Sequence, residues 1–124
     1  MTTLSRLALI ALAGAGGALC RLAVNNVVSA RSFPLSTLVV NVVGSFALGV
    51  LVAWGATRLS PEVLSVLSVG FLGGFTTFST FALEAVTLSD DGRLGTAAVY
   101  VVISVVSGLA AAAVGHHAGR ALLS

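Results

Sequence analysis

Four long apolar stretches, separated by short polar segments, constrain this chain more than any other feature. A transmembrane helix needs about 20 mostly apolar residues. The stretches run from about 4 to 28, 35 to 56, 63 to 88 and 94 to 115, and they occupy most of the 124 residues. The sequence therefore predicts an all-α integral membrane protein, with four transmembrane helices in a single membrane domain that covers 1–124.

The composition agrees with lipid as the natural solvent. Charged residues make up 8% of the chain, whereas soluble proteins carry about 25%. The six arginines are scattered, so we expect no nucleic-acid partner, which would need a basic face. The lone cysteine, Cys20, rules out a disulfide within one chain, and we interpret it as a small buried apolar side chain. The N-terminal apolar stretch after Arg6 is followed by more membrane-like sequence, so we interpret it as a retained first helix rather than a signal peptide.

The polar segments mark the borders of the predicted helices. A turn is expected at 30–34 and a loop at 89–93. Between the second and third stretches, Ser60 is a good N-cap, Pro61 suits the first helical position, and Glu62 complements the helix dipole. These signals predict a helix start near Pro61.

The arginines predict how the chain inserts. Four crossings place both termini and the middle loop on one side, together with Arg6, Arg58 and Arg120. The opposite side carries Arg31 and Arg93. Because the asymmetry of Lys and Arg sets orientation, three against two predicts insertion both ways up. Copies of opposite orientation can pair, which predicts an antiparallel, dual-topology homodimer.

Two polar side chains lie within the first two spans. Arg21 must face protein or water, or reach back to the interface, since a charge inside a membrane is costly. A role in dimer packing or in an anion vestibule is open for it. Asn41 must find hydrogen-bond partners, either on a neighbouring helix or in a pore.

The third span contains a Gly-Gly pair followed by Thr-Thr, within residues 70–81, which disfavours a continuous helix. A broken helix is tolerated at membrane depth only where its backbone is buried in protein or lines a cavity. Its free carbonyls could ligate a cation. After the pair, Phe78 and Phe81 share a helical face, with Ser79 and Thr80 alongside. We therefore predict a break in this helix and a functional site beside it.

The fourth span carries Tyr100 and Ser104 one helical turn apart, with Ser107 near the same face. These hydroxyls could form a hydrogen-bonding track. They could equally bond to the carbonyls one turn back, as Ser often does in membrane helices.

Three segments resemble the Fluc (CrcB) fluoride channels, and the resemblance extends over nearly the full chain. They are residues 16–21 (GGALCR), 34–46 (PLSTLVVNVVGSF) and 70–81 (GFLGGFTTFSTF). The third segment is the most specific. The resemblance implies an antiparallel dual-topology dimer with two fluoride pores, in a bacterial membrane. It also implies a structural Na⁺ at the dimer interface, held by the backbone carbonyls of Gly73 and Thr76 of each subunit.

The resemblance also implies roles for side chains. Phe78 and Phe81 match the aromatic residues that line the pores, and Asn41 matches a pore-facing Asn. Tyr100 and Ser104 match positions of a polar track. This chain departs from the pattern at Gly108, where many relatives have a hydroxyl or an amide, although Ser107 is adjacent. Glu84 matches an acidic position whose role stays unassigned.

The chemistry of these residues favours a passive fluoride channel over an enzyme. Fluoride is small and strongly hydrated, so a pore must replace its water with amide and hydroxyl donors and the positive edges of Phe rings. No nucleotide-binding motif or catalytic constellation is visible, and His116 with His117 has no further ligand at a convincing spacing. In a cell with a negative interior, passive flow drives an anion outward, and the resemblance accordingly implies fluoride export that confers fluoride resistance.

Three alternatives are weighed against this function. A small multidrug transporter needs a carboxylate in the first helix, where this chain has Arg21 and no acid. A non-conducting assembly subunit would make the glycines and hydroxyls mere packing. A heterodimer of two similar chains with opposite orientations is also open, although the near-balance of arginines favours the homodimer.

Overall fold

The computed structural model describes residues 1–28 and 32–124. Its helices are α1 (Thr3–Val27), α2 (Leu35–Arg58), α3 (61–75), α4 (Ser79–Asp90) and α5 (Leu94–Ala121). α3 comprises three consecutive pieces, Pro61–Ser65, the π-helical Val66–Leu72, and Gly73–Phe75. Within the described ranges no strand occurs. Among the residues that the structure describes, four segments are long and apolar enough to cross a membrane, with α3 and α4 forming one of them, Pro61–Asp90. The all-α fold with four spans and a broken third helix is thereby confirmed.

Local signals set the helix ends. Ser60 Oγ accepts a hydrogen bond from Val63 N at 3.3 Å, and Pro61 is the first residue of α3, as the sequence predicts. Thr2 caps α1 in the same way. The turn between α4 and α5 contains Gly92 with φ of 77°, a conformation that glycine adopts without strain. The predicted turn at 30–34 begins with residues that lie outside the described ranges. Arg31, which the sequence analysis counts among the arginines on the second side of the membrane, is one of these residues.

Glycines bring the helices together in two pairs, α1 with α3 and α2 with α5. A Cβ on Gly17 would collide with the carbonyl oxygen of Phe71, and one on Gly74 with the carbonyl of Gly14. On the other pair, a Cβ on Gly49 would lie 2.5 Å from the carbonyl oxygen of Ala112. The absence of a side chain at these positions therefore lets the two backbones of each pair approach closely. Close backbone approach matters in lipid, where the hydrophobic effect does not drive helices together.

The third span breaks after its glycine pair rather than at it. Gly73 and Gly74 are helical, and the chain becomes extended at Thr76, with φ of −87° and ψ of 164°. α4 then begins at Ser79. Gly74 serves packing instead, since it lets α3 approach the backbone of α1.

An aromatic cluster fixes α4 against α5. Tyr100 is completely buried, and its ring packs edge-on against Phe33 and Phe81, with centroid distances of 5.3 and 5.2 Å. Leu88 and Ala97 complete the cluster. The second half of the third span is therefore anchored on α5 beside the break.

Most large apolar side chains outside this cluster are exposed, as expected where lipid or a second copy covers the surface. Cys20 is among the exposed residues, so its interpretation as a buried side chain is wrong. The physical reason is that α1 meets α3 on the side of Gly17, while Cys20 and the 65%-exposed Leu19 lie on the outer side.

The α1–α3 contact should not tolerate one added methyl group. We expect Gly17→Ala to lower the thermal midpoint in detergent, because its Cβ meets the backbone of Phe71 and Phe75 rather than a flexible side chain. Overpacking of this kind costs about 1–3 kcal/mol. Gly95→Ala is the matched control, since nothing lies within 4 Å of its Cβ. Equal midpoints for the two variants would contradict the packing described.

Candidate functional site

The break in the third span is held by one side chain of α2. Asn41 Nδ2 donates to the carbonyl oxygen of Thr77 at 2.8 Å, and Thr77 N donates to Asn41 Oδ1 at 2.8 Å. The side-chain amide thus satisfies both backbone polar groups of Thr77, within a segment long and apolar enough to cross a membrane. Of the two interpretations of Asn41, a hydrogen bond to a neighbouring helix is present. Its predicted place in a pore is compatible with this bond, since the amide has a second N–H.

The pairing of Asn41 with Thr77 changes which backbone carbonyls of the break accept a hydrogen bond. In a continuous α-helix the N–H of residue 77 would bond to the oxygen of residue 73. Because Thr77 N–H is given to Asn41, the carbonyl of Gly73 is deprived of its helical donor. In the same way Thr80 N donates to Thr77 Oγ1 at 3.2 Å, which deprives the carbonyl of Thr76.

Arg21 approaches the same break from α1. Its Nε donates to the carbonyl oxygen of Gly74 at 3.2 Å, in place of the N–H that Phe78 would supply in a continuous helix. A cation at the carbonyl end of a helix is favourable, since the helix dipole is negative there. Arg21 is half-buried, so it contacts protein within the span rather than only reaching for the interface.

A cavity of about 380 Å³ lies beside the break, between α2, the third span and α5. Six residues singled out by the sequence line it: Asn41, Gly73, Thr76, Phe78, Phe81 and Ser104. None of its lining residues is charged in the part of the chain that the structure describes. The break therefore opens onto a space with neutral polar groups and aromatic rings.

Other predicted site residues lie outside this cavity. Ser79 and Thr80 are exposed on α4, and Arg21 contacts the break from the opposite helix. Ser107 Oγ donates to the carbonyl of Ile103 one turn back, which is the alternative that the sequence left open. Tyr100 is fully buried, and its hydroxyl lies 3.4 Å from Glu84 Oε1 as a donor.

The three hydroxyls of α5 differ in their relation to the cavity, and their predicted roles in a pore stay predictions. Ser104 alone among them contributes to the lining. Its Oγ is buried, and the described residues offer it no hydrogen-bond partner. A buried hydroxyl without a partner is costly, so Ser104 Oγ is a position on α5 where a further hydrogen-bond partner is expected.

The two phenylalanines differ in their surroundings. Their ring centroids lie 5.8 Å apart. Phe81 is half-buried and rests on Tyr100, so the aromatic cluster fixes its orientation. Phe78 is 79% exposed, on a surface that lipid or another copy would cover.

Sequence reasoning missed Thr77, which supplies the backbone groups and the hydroxyl that define the break. Gly44 also borders the break, since a Cβ there would collide with Thr76 Cγ2. It follows Asn41 by about one turn and shares its face. Ser45 lies beside Gly108 and lines the cavity, so a hydroxyl on α2 borders the position where the family pattern has one on α5.

Comparison with known proteins gives one consistent result. The family model described as CrcB-like protein, Camphor Resistance (CrcB), matches residues 8–116. A protein of Methylobacterium sp. (strain 4-46), named fluoride-specific ion channel FluC, is 50% identical over 82% of this chain and 85% of its own length. Proteins of the same name from Paracoccus denitrificans and Agrobacterium fabrum are 45% and 47% identical, covering 93% and 94% of this chain and 94% and 97% of their own lengths.

These likenesses extend over the helices that form the break and the cavity. With four apolar helices, they place the chain among the multi-pass membrane proteins of bacteria. The chain belongs to the CrcB-like family.

Proposed function

We propose that this protein is a fluoride-selective passive ion channel that exports fluoride from the cytoplasm and so confers fluoride resistance. The observation that carries the proposal is the neutral, donor-lined cavity at the break, with the partnerless hydroxyl of Ser104 in its wall. The relatives named fluoride-specific ion channel FluC support the choice of ion.

The lining suits a small, strongly hydrated anion. Asn41 has one N–H left after bonding Thr77, and Ser104 has an unused O–H. The edges of aromatic rings carry partial positive charge, which Phe78 and Phe81 can offer. Such donors replace part of the water shell of the ion without a full positive charge, and conduction requires that the ion also leave. Flow through the pore follows the electrochemical gradient, which is outward for an anion in a cell with a negative interior.

Fluoride efflux from proteoliposomes tests the conduction itself. We expect liposomes that contain the purified protein to lose fluoride rapidly once valinomycin removes the opposing potential, and to retain chloride. A fluoride electrode and a chloride electrode record the two ions. Empty liposomes are the control, and retention of fluoride by liposomes with folded protein would contradict the proposal.

A substitution that introduces a negative charge tests whether Asn41 lies in the fluoride pathway. We expect Asn41→Asp to abolish fluoride efflux in the same assay, because it places a carboxylate in the wall of the cavity, where it repels the anion. Asn26→Asp makes the same change on an exposed position of α1 and should conduct as the wild type does. Rapid efflux through the Asn41→Asp variant would move the pathway elsewhere.

We propose further that the working unit is an antiparallel homodimer with a Na⁺ at its interface. The support is chemical. The carbonyls of Gly73 and Thr76 have lost their helical donors, and oxygen atoms are the ligands that hard cations take. Gly73 is exposed, so its carbonyl is accessible to an ion shared with a second copy. When bound, the ion would supply a positive charge that attracts the carbonyl oxygens of both subunits and so links the two breaks.

The orientation of the chain in cells tests the dimer. We expect a C-terminal epitope tag to be accessible from both sides of the membrane in comparable amounts, because the arginines give little bias. Selective labelling of intact and permeabilised cells measures this. A single orientation would contradict the homodimer and favour pairing with a second, oppositely oriented chain.

A further inference from the structure

The hydrogen bonds at the break assign a second role to Asn41. We propose that Asn41 is a positioning residue for the cation site: by accepting Thr77 N–H, it keeps the carbonyl of Gly73 free for Na⁺. The inference rests on the Na⁺ site of the proposed function. It concerns the side-chain oxygen of Asn41, whereas conduction concerns its N–H groups.

The argument begins with the alternative partner of Thr77 N–H. In lipid this donor must be satisfied by protein. A continuous helix would satisfy it with the oxygen of Gly73, and that carbonyl would then be occupied. Asn41 Oδ1, at 2.8 Å, supplies a substitute from another helix. Nδ2 donates to Thr77 O at the same time, so neither backbone polar group of Thr77 lacks a partner in the broken helix.

Thr77 prepares the second carbonyl by a similar exchange. Its hydroxyl oxygen accepts Thr80 N–H at 3.2 Å, which a continuous helix would give to Thr76 O. Both freed carbonyls therefore depend on Thr77, one through its main chain and one through its side chain. Between them, the carbonyl of Gly74 is occupied by Arg21. Side-chain donors and acceptors thus determine whether the carbonyls of Gly73, Gly74 and Thr76 are occupied.

Two substitutions separate the role of the Asn41 side-chain oxygen from the role of its N–H groups. Asn41→Asp loses the donor to Thr77 O but keeps an oxygen that can accept Thr77 N–H, so the carbonyl of Gly73 should stay free even though the anion path is blocked. Asn41→Leu has a similar size and offers neither acceptor nor donor. In that variant Thr77 N–H returns to Gly73, and the cation site is lost.

The experiment measures thermal unfolding of the purified protein in detergent, in NaCl and in N-methyl-D-glucamine chloride at equal concentration. An ion that binds only the folded state raises the midpoint of unfolding, and tighter binding raises it further. We expect the Na⁺-dependent rise of the wild type to persist in Asn41→Asp and to vanish in Asn41→Leu. Asn26→Leu, on the exposed side of α1, should keep the rise.

If Asn41→Leu does not fold, loss of the Na⁺-dependent rise in Asn41→Asp still overturns the positioning role, and a further variant tests the hydroxyl of Thr77. Thr77→Val preserves shape and backbone but removes the acceptor of Thr80 N–H, so we expect a smaller Na⁺-dependent rise. Thr57→Val is its matched control, because the Thr57 hydroxyl only bonds to Trp54 O near the end of α2. A full rise in Thr77→Val would overturn the assigned role of its hydroxyl.

The outcomes distinguish this inference from the function on which it rests. A wild-type rise that survives unchanged in Asn41→Leu would overturn the positioning role and leave the cation site standing. A wild-type midpoint that is equal in both salts would overturn the cation site and the inference with it. Fluoride efflux by the same preparation would then still support conduction.

Discussion

The structure depends on one constraint, which is that lipid offers no partner for a backbone N–H or C=O. A transmembrane helix normally meets this constraint because its unbroken backbone pairs N–H groups with C=O groups of the same helix. Here the third span is discontinuous, and the side-chain amide of Asn41 meets it for Thr77 by acting as a substitute peptide group. Arg21 does the same for one carbonyl. The break is therefore a specified feature of the fold, held from α1 and α2, rather than a local weakness of α3.

Those side chains reach the break because small residues bring the backbones close. Gly17 and Gly74 set the contact of α1 with α3, which places Arg21 one turn further along the same face of α1. Gly44 does the same for α2, where its missing Cβ leaves room for Thr76 beside Asn41. Packing and polar chemistry are thus coupled, since the reach of each hydrogen-bonding group is set by a glycine on its own helix.

Much of this could be predicted from local sequence, because length, apolar runs and capping residues are local signals. The four spans, the start at Pro61 and the break near Thr76 follow from such signals. The partner of Asn41 and the orphaned hydroxyl of Ser104 do not, since they depend on how helices are placed in space. The same holds for Ser107, where spacing alone left a shared track and a bond to the preceding turn equally open.

The discontinuity has an electrostatic consequence of its own. α3 ends at Phe75 and α4 begins at Ser79, so the negative pole of one helix and the positive pole of the next lie within a few residues of each other. In an uninterrupted helix these opposed poles would cancel. Because the poles are separated here, this stretch of chain has a partial negative charge at one end and a partial positive charge at the other, although it carries no net charge. One end therefore attracts a cation, and the other attracts an anion.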